Sequence, residues 1–215
     1  MPKSTNPPEK RDGLSTERIL HAAIEIADAE GIKNVSMRRV ASELGFEVMS
    51  LYNHIANKQA LLAAMADHIA AKVDRPDGAW PDAIRSNAIA AQQTLGAHPW
   101  AAELWASQLP GPHRLDLMEW QLRKLASANL SEQAAHYAFH AINDHIVGYT
   151  IQNVAIIDLS DRVGEGFAEQ FMNELHPMRY EKLREHIGQH VDGETGSSFE
   201  LVLDFILDGI TASDL

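Results

Sequence analysis

The sequence predicts an all-α protein: an N-terminal head of three or four short helices containing a helix-turn-helix, followed by a larger C-terminal helical bundle. Three observations predict it. Apolar residues recur at three- and four-residue spacing along most of the chain. No stretch alternates apolar and polar residues as a half-buried strand does. Ser, Asn, Gly and Pro stand where helices must start and stop.

Residues 1–13 are rich in Pro, Lys and Glu and are expected to form a disordered tail. A basic arm through Lys3, Lys10 and Arg11 is the alternative, diluted by Glu9 and Asp12. Ser15 is placed to cap a first helix, with Leu14 and Ile19 positioned as a hydrophobic staple, and Gly31 to end it. Ile19, Ala23, Ile26 and Ala27 form its apolar stripe. Ser36 caps a second helix carrying Met37, Val40, Ala41 and Leu44, and Gly45 supplies a sharp turn where positive φ costs little. A third helix is expected over 47–54, with Leu51 and Ile55 inward. Asn57 then caps a fourth bearing Leu61, Leu62, Met65, Ile69 and Val73.

The run 74–78, Asp-Arg-Pro-Asp-Gly, breaks the pattern and sets the expected division: tail 1–13, head 14–73, body 74–215. In the body, helices are expected over 81–96, 99–107, 114–128 and 131–157, the last capped by Ser131. A less regular section follows over 160–175, with Gly164 and Gly166. A short helix over 180–191, a loop over 192–196 and a final helix over 198–211 close the chain.

At 215 residues the chain can bury a substantial core. It has no cysteine, which excludes disulfides, thiolate nucleophiles and cysteine-ligated zinc. The first residues lack the apolar core of a secretory signal, and no apolar run approaches the roughly 20 residues that span a bilayer. A cytoplasmic protein with no membrane partner is expected. The net charge of −12 is unevenly placed: residues 1–73 hold 9 Lys+Arg and 9 Asp+Glu, whereas residues 74–215 hold 9 and 21. All the excess acidity thus lies in the body, which suits a DNA-binding head whose non-specific attraction to phosphates is modest.

The organising stretch is 36–58, SMRRVASELGFEVMSLYNHIANK. Two short helices meeting at a glycine turn are the arrangement of a helix-turn-helix, whose second helix enters the major groove. Arg38 and Lys58 are candidates to hold phosphates, and Ser50, Tyr52, Asn53 and His54 to divide between phosphates and bases. Glu47 can accept from a cytosine amino group or simply favour the helix N-terminus, while Val48 and Met49 suit thymine methyls. This stretch resembles the DNA-binding segment of the tetracycline-repressor (TetR) family, in particular the branch containing the tetracycline repressors. The matching residues are Ser36-Met37-Arg38, Ala41, Leu44-Gly45, Leu51-Tyr52, His54, Asn57-Lys58 and Ala60-Leu61-Leu62. Beyond this run the resemblance extends to length and helical layout.

One short recognition helix reads few bases, so a homodimer on a near-palindromic double-stranded operator is expected. The resemblance implies pairing of two C-terminal helices from each subunit, for which 131–157 and 198–211 are candidates because both are apolar on more than one side. It also implies a body pocket for a small-molecule effector. Candidate lining residues are Trp100, Trp105, Met118, Tyr137 and Tyr149, with Gln92, His140, Asn143 and Asp144 as polar groups. A Trp and Met stripe at this spacing is more often plain core.

His136, His140 and Asp144 recur every four residues, a spacing compatible with metal ligation. A polar face is the preferred reading there and for His186 and His190, so no metal or cofactor is expected. The chain has no Glu-x-x-His, Gly-x-Ser-x-Gly or His-Glu-x-x-His, and no phosphate-binding glycine loop. A ligand-responsive repressor is therefore the leading reading. The alternatives are a DNA-binding regulator without an effector and, remotely, a helical-bundle enzyme.

Overall fold

Ser15 accepts a hydrogen bond from the Arg18 amide at 3.2 Å and so starts α1 (Thr16–Glu30). The computed structural model describes residues 13–163, 166–191 and 199–211, which fall into two units, Met1–Met65 and Ala66–Leu215. The division lies inside a helix, upstream of the 74–78 break where the sequence suggested it. Among the described residues every regular element is helical. The expectations for the tail, for Gly164 and for the 192–196 loop fall outside the described residues.

In the first unit, α1 buries Ile19, Ala22, Ala23, Ile24, Ile26 and Ala27, and Gly31 ends it. After one 3-10 turn (Ile32–Asn34), the Ser36 hydroxyl caps α2 (Met37–Leu44) by accepting from the Arg39 amide at 3.1 Å. Gly45 adopts φ +70°, the left-handed conformation that a side chain strains, and turns the chain towards α3. The helix α3 is shorter than expected. It spans Val48–Tyr52, because Glu47 is extended and supplies no side-chain cap. Beyond Tyr52, turn bonds from the His54 and Ile55 amides to the Leu51 carbonyl carry the chain to α4 (Lys58–Ala70). The Asn57 side chain starts α4, accepting from the Ala60 amide at 2.8 Å.

The second unit is built around α8 (Glu132–Val163), whose start is capped by Ser131 accepting from the Ala134 amide. Four helices pack on it: α5 (Trp80–Ala97), α6 (Pro99–Ser107), α7 (Pro112–Ala126) and α11 (Phe199–Thr211). Ile84, Leu95, Leu117, Leu125, Ile142, Ile146 and Leu203 lie in the core. Two further helices, α9 (Phe167–Glu174) and α10 (Glu181–Val191), pack on each other. The section 160–175 is thus mostly helical rather than irregular: α8 continues past its expected end at 157, and α9 starts directly after Gly166. Arg85 ties α5 to α11, donating from Nε to Asp204 at 2.6 Å and from a terminal nitrogen to Glu200 at 2.9 Å.

Candidate DNA-binding face and body cavity

The short helix α3 has two distinct sides. Leu51 is fully buried and Ile55, just beyond the helix, nearly so. On the other side Met49 is 69% exposed and Tyr52 43%, large values for apolar-bodied side chains. Asn53 and His54 are exposed beside them, and Val48 and Ser50 are half-buried. Glu47, Arg38 and Lys58 are also exposed. Every head residue singled out from the sequence as a DNA contact is therefore at least partly accessible. The neighbouring Arg39 is engaged differently, clamped between Glu30 at 2.7 Å and Glu43 at 2.6 Å. Its hydrogen bonds, to Glu30 first and Glu43 second, raise its pKa above the usual arginine range. Arg39 thus braces α1 against α2, whereas Arg38 is exposed.

In the second unit a cavity of about 370 Å³ lies among α6, α7 and α8. Trp105, Ala106, Arg114, Leu117, Met118, Gln121, Phe139, His140, Asn143, Asp144 and Val147 line it. A mostly apolar wall with a few convergent polar groups is the usual make-up of a small-molecule site. Five of the nine sequence candidates meet here: Trp105, Met118, His140, Asn143 and Asp144. The other four lie elsewhere. Trp100 is buried with its ring edge-on to His98, Gln92 is half-buried on α5, and Tyr149 packs edge-on against Phe199. Tyr137 lines a groove between α8 and α11.

Sequence reasoning missed Arg114, Gln121 and Phe139. A signal for Gln121 existed: it stands four residues from both Leu117 and Leu125, a polar side chain within a buried stripe, and is only 2% exposed. Its Nε2 donates to Asn87 Oδ1 at 2.9 Å, and its Oε1 accepts from Asn143 Nδ2 at 3.2 Å. Asn87, fully buried, donates in turn to the Asp74 carbonyl. A chain of amides thus runs from the cavity wall to the segment following α4. A second connection reaches α4 itself. The Trp105 indole donates to the Ala66 carbonyl at 3.1 Å, and the Asp67 carboxylate accepts from the His113 and Arg114 amides at the start of α7. Gly111 makes that carboxylate cap possible, since a Cβ there would lie 2.5 Å from Asp67 Cγ.

The groove between α8 and α11, also about 370 Å³, is lined by Ala134, Tyr137, Ala138, Ala141, Phe205, Ile206, Gly209 and Ile210. Phe205 is 65% exposed there, and Leu201 and Val202 are exposed on the same helix. His136 and His140 sit edge-to-face with ring centres 4.6 Å apart, both exposed, as is Asp144. Among the described residues no group of three His, Asp or Glu is placed to hold a metal ion. The side chain of His190 lies outside the described residues.

Two family descriptions match the chain. "Bacterial regulatory proteins, tetR family" covers residues 19–65, and "Tetracyclin repressor-like, C-terminal domain" covers residues 73–213. The chain belongs to the TetR family. Among its relatives, the tetracycline repressor protein class A from transposon 1721 of Escherichia coli is 30% identical over 203 residues, covering 92% of this chain and 90% of that one. The HTH-type transcriptional repressor DrrR1 of Streptomyces coeruleorubidus is 35% identical over 140 residues. That match covers 63% of this chain and spans 52% of the relative's length. The TetR-family protein ActR of Streptomyces coelicolor, solved in complex with actinorhodin, superposes with a TM-score of 0.75 at 26% identity over 94% of this chain and all of that one. The all-helical TetR fold and a bacterial regulator in place of an enzyme agree with the expectations from sequence. Among the described residues no helix is long and apolar enough to cross a membrane.

Proposed function

We propose that this TetR-family chain is a ligand-responsive repressor acting in the cytoplasm. In this reading the head, residues 14–73, binds a near-palindromic operator as part of a homodimer, and the body, residues 74–215, pairs the subunits and takes up a small organic effector. One observation carries it: on a helix of five residues Leu51 is fully buried while Met49 and Tyr52 are exposed, with Asn53 and His54 beside them. A buried anchor behind a row of exposed contact groups is what major-groove reading needs. Arg38 and Lys58 serve as phosphate contacts, Ser50, Tyr52, Asn53 and His54 as base or phosphate contacts, and Glu47, Val48 and Met49 as base-edge contacts.

The apolar groove between α8 and α11 supports a second copy of the chain as its occupant, since Phe205 and Tyr137 expose large apolar area there. The cavity supports an effector site, and the actinorhodin complex of ActR shows a relative of this fold holding an organic molecule. Trp105 couples the two roles: it lines the cavity and holds the Ala66 carbonyl of α4. An effector releases DNA only if it binds one of two protein states better, and operator DNA must then weaken effector binding by the same factor. The test is repeated selection of duplexes from a random library. Enrichment of a palindrome with half-sites about one helical turn or slightly more apart, roughly 34 Å or above, is expected. A library that stays unenriched after several rounds overturns the reading.

A further inference from the structure

The structure assigns a chemical class to the cavity ligand: we infer an aromatic anion, its acidic group held by the Arg114 guanidinium beside Trp105 and its rings seated against Phe139 and Met118. The inference rests on the effector-site reading of that cavity. Arg114 lines the cavity from the first turn of α7 and is half-buried. Its guanidinium carbon lies 5.2 Å from the Trp105 ring centre, a cation–π contact.

Its hydrogen bonding is sparse for a group with five donors. One terminal nitrogen donates to the Gln108 carbonyl at a long 3.4 Å, and among the described residues no carboxylate forms an ion pair with it. Asp67 is the acidic group whose charge reaches Arg114, but both its oxygens are already engaged by backbone amides of α7. Burial pushes the Arg114 pKa below the usual arginine range, with the Asp67 charge opposing that shift. A cation that gives up water without a paired anion is costly, and a carboxylate, sulfonate or acidic phenolate in the cavity would supply the missing partner in a bidentate geometry. The cavity's other charged lining group, Asp144, is exposed to water, which weakens its repulsion of an incoming anion. Trp105 and Phe139 favour flat rings, and about 370 Å³ accommodates a molecule of two or three rings.

The test uses two fluorescent probes with the same aromatic body, 8-anilinonaphthalene-1-sulfonate and its uncharged parent 1-anilinonaphthalene, titrated into the full chain. The sulfonate should occupy one site per chain and bind about tenfold or more tightly than the parent, as a charge-assisted pair provides. Arg114→Gln should remove that preference, and Arg114→Lys, which keeps the charge but loses the planar fork, should retain part of it. Equal affinity of the two probes for the wild type, or equal weakening of both by Arg114→Gln, overturns the inference while leaving the cavity as a binding site. If Met118→Trp, which fills the cavity, weakens neither probe in a folded protein, the inference and the effector-site reading fail together. The wild-type affinity ratio is decisive even where a variant does not fold.

Discussion

Gln121, buried in the body, bonds to Asn87 on one side and Asn143 on the other. Replacing it with Leu leaves both partner amides short of a bond in a low-dielectric interior, where an unsatisfied polar group costs the most. Gln121→Leu should therefore destabilise the body by about 2 kcal/mol, read by urea unfolding. A loss below about 0.5 kcal/mol would mean that water or another group replaces the missing bonds. Gly111 makes a second residue-scale case. Gly111→Ala drives a Cβ into Asp67 and should release the cap on α7, lowering stability by about 1 kcal/mol, close to the cost of losing an N-cap. Asp67→Ala should cost a similar amount and, combined with Gly111→Ala, little more, which a double-mutant cycle reads directly. The caps at Ser15, Ser36, Asn57 and Ser131 were legible in the sequence because each bonds an amide three residues ahead. Arg114 and Phe139 were not, since their role arises only where α6, α7 and α8 meet.

Among the helices, α11 separates its roles by face. Phe199, Leu203 and Leu207 are buried, whereas Leu201, Val202 and Phe205 are exposed. The sequence showed apolar residues on more than one side of this segment; which side packs at home needed the structure. Phe205→Glu should convert the proposed dimer to monomer without unfolding the chain, because its side chain lies outside the core. Light scattering that reports an intact dimer would remove α11 from the interface. Acid should act on the other anchor of this helix. The hydrogen bond from Arg85 holds the Asp204 carboxyl below its usual pKa, with burial opposing and the Arg85 charge adding. Its stabilisation is therefore complete above the ordinary carboxylate range and is lost as pH falls through the depressed value. The thermal midpoints of wild type and Asp204→Asn should differ most near neutral pH and converge as pH falls through the depressed value, the difference staying small because the pair is exposed to water. The length of α8 was underread for a related reason. Glycines at 164 and 166 signal a break, yet the backbone stays helical to Val163 and resumes at Phe167.

At the scale of the whole molecule the charge is divided, balanced over residues 1–73 and strongly negative over residues 74–215. Specific contacts must then carry most of the operator affinity, and each phosphate contact should contribute about one to the salt slope. By linkage, an effector present at about 100 times its dissociation constant should add about 2.7 kcal/mol of stability and weaken operator binding. A compound that stabilises the chain yet leaves operator affinity unchanged is not its effector. On the proposed function, the outward face of α3 reads DNA. The affinity of wild type, Tyr52→Ala and Lys58→Ala for the selected palindrome, measured across a salt series, tests it most directly. Tyr52→Ala should bind about tenfold more weakly at every salt concentration, and Lys58→Ala should show a salt slope smaller by about one. Wild-type affinity and slope in both variants would contradict the claim.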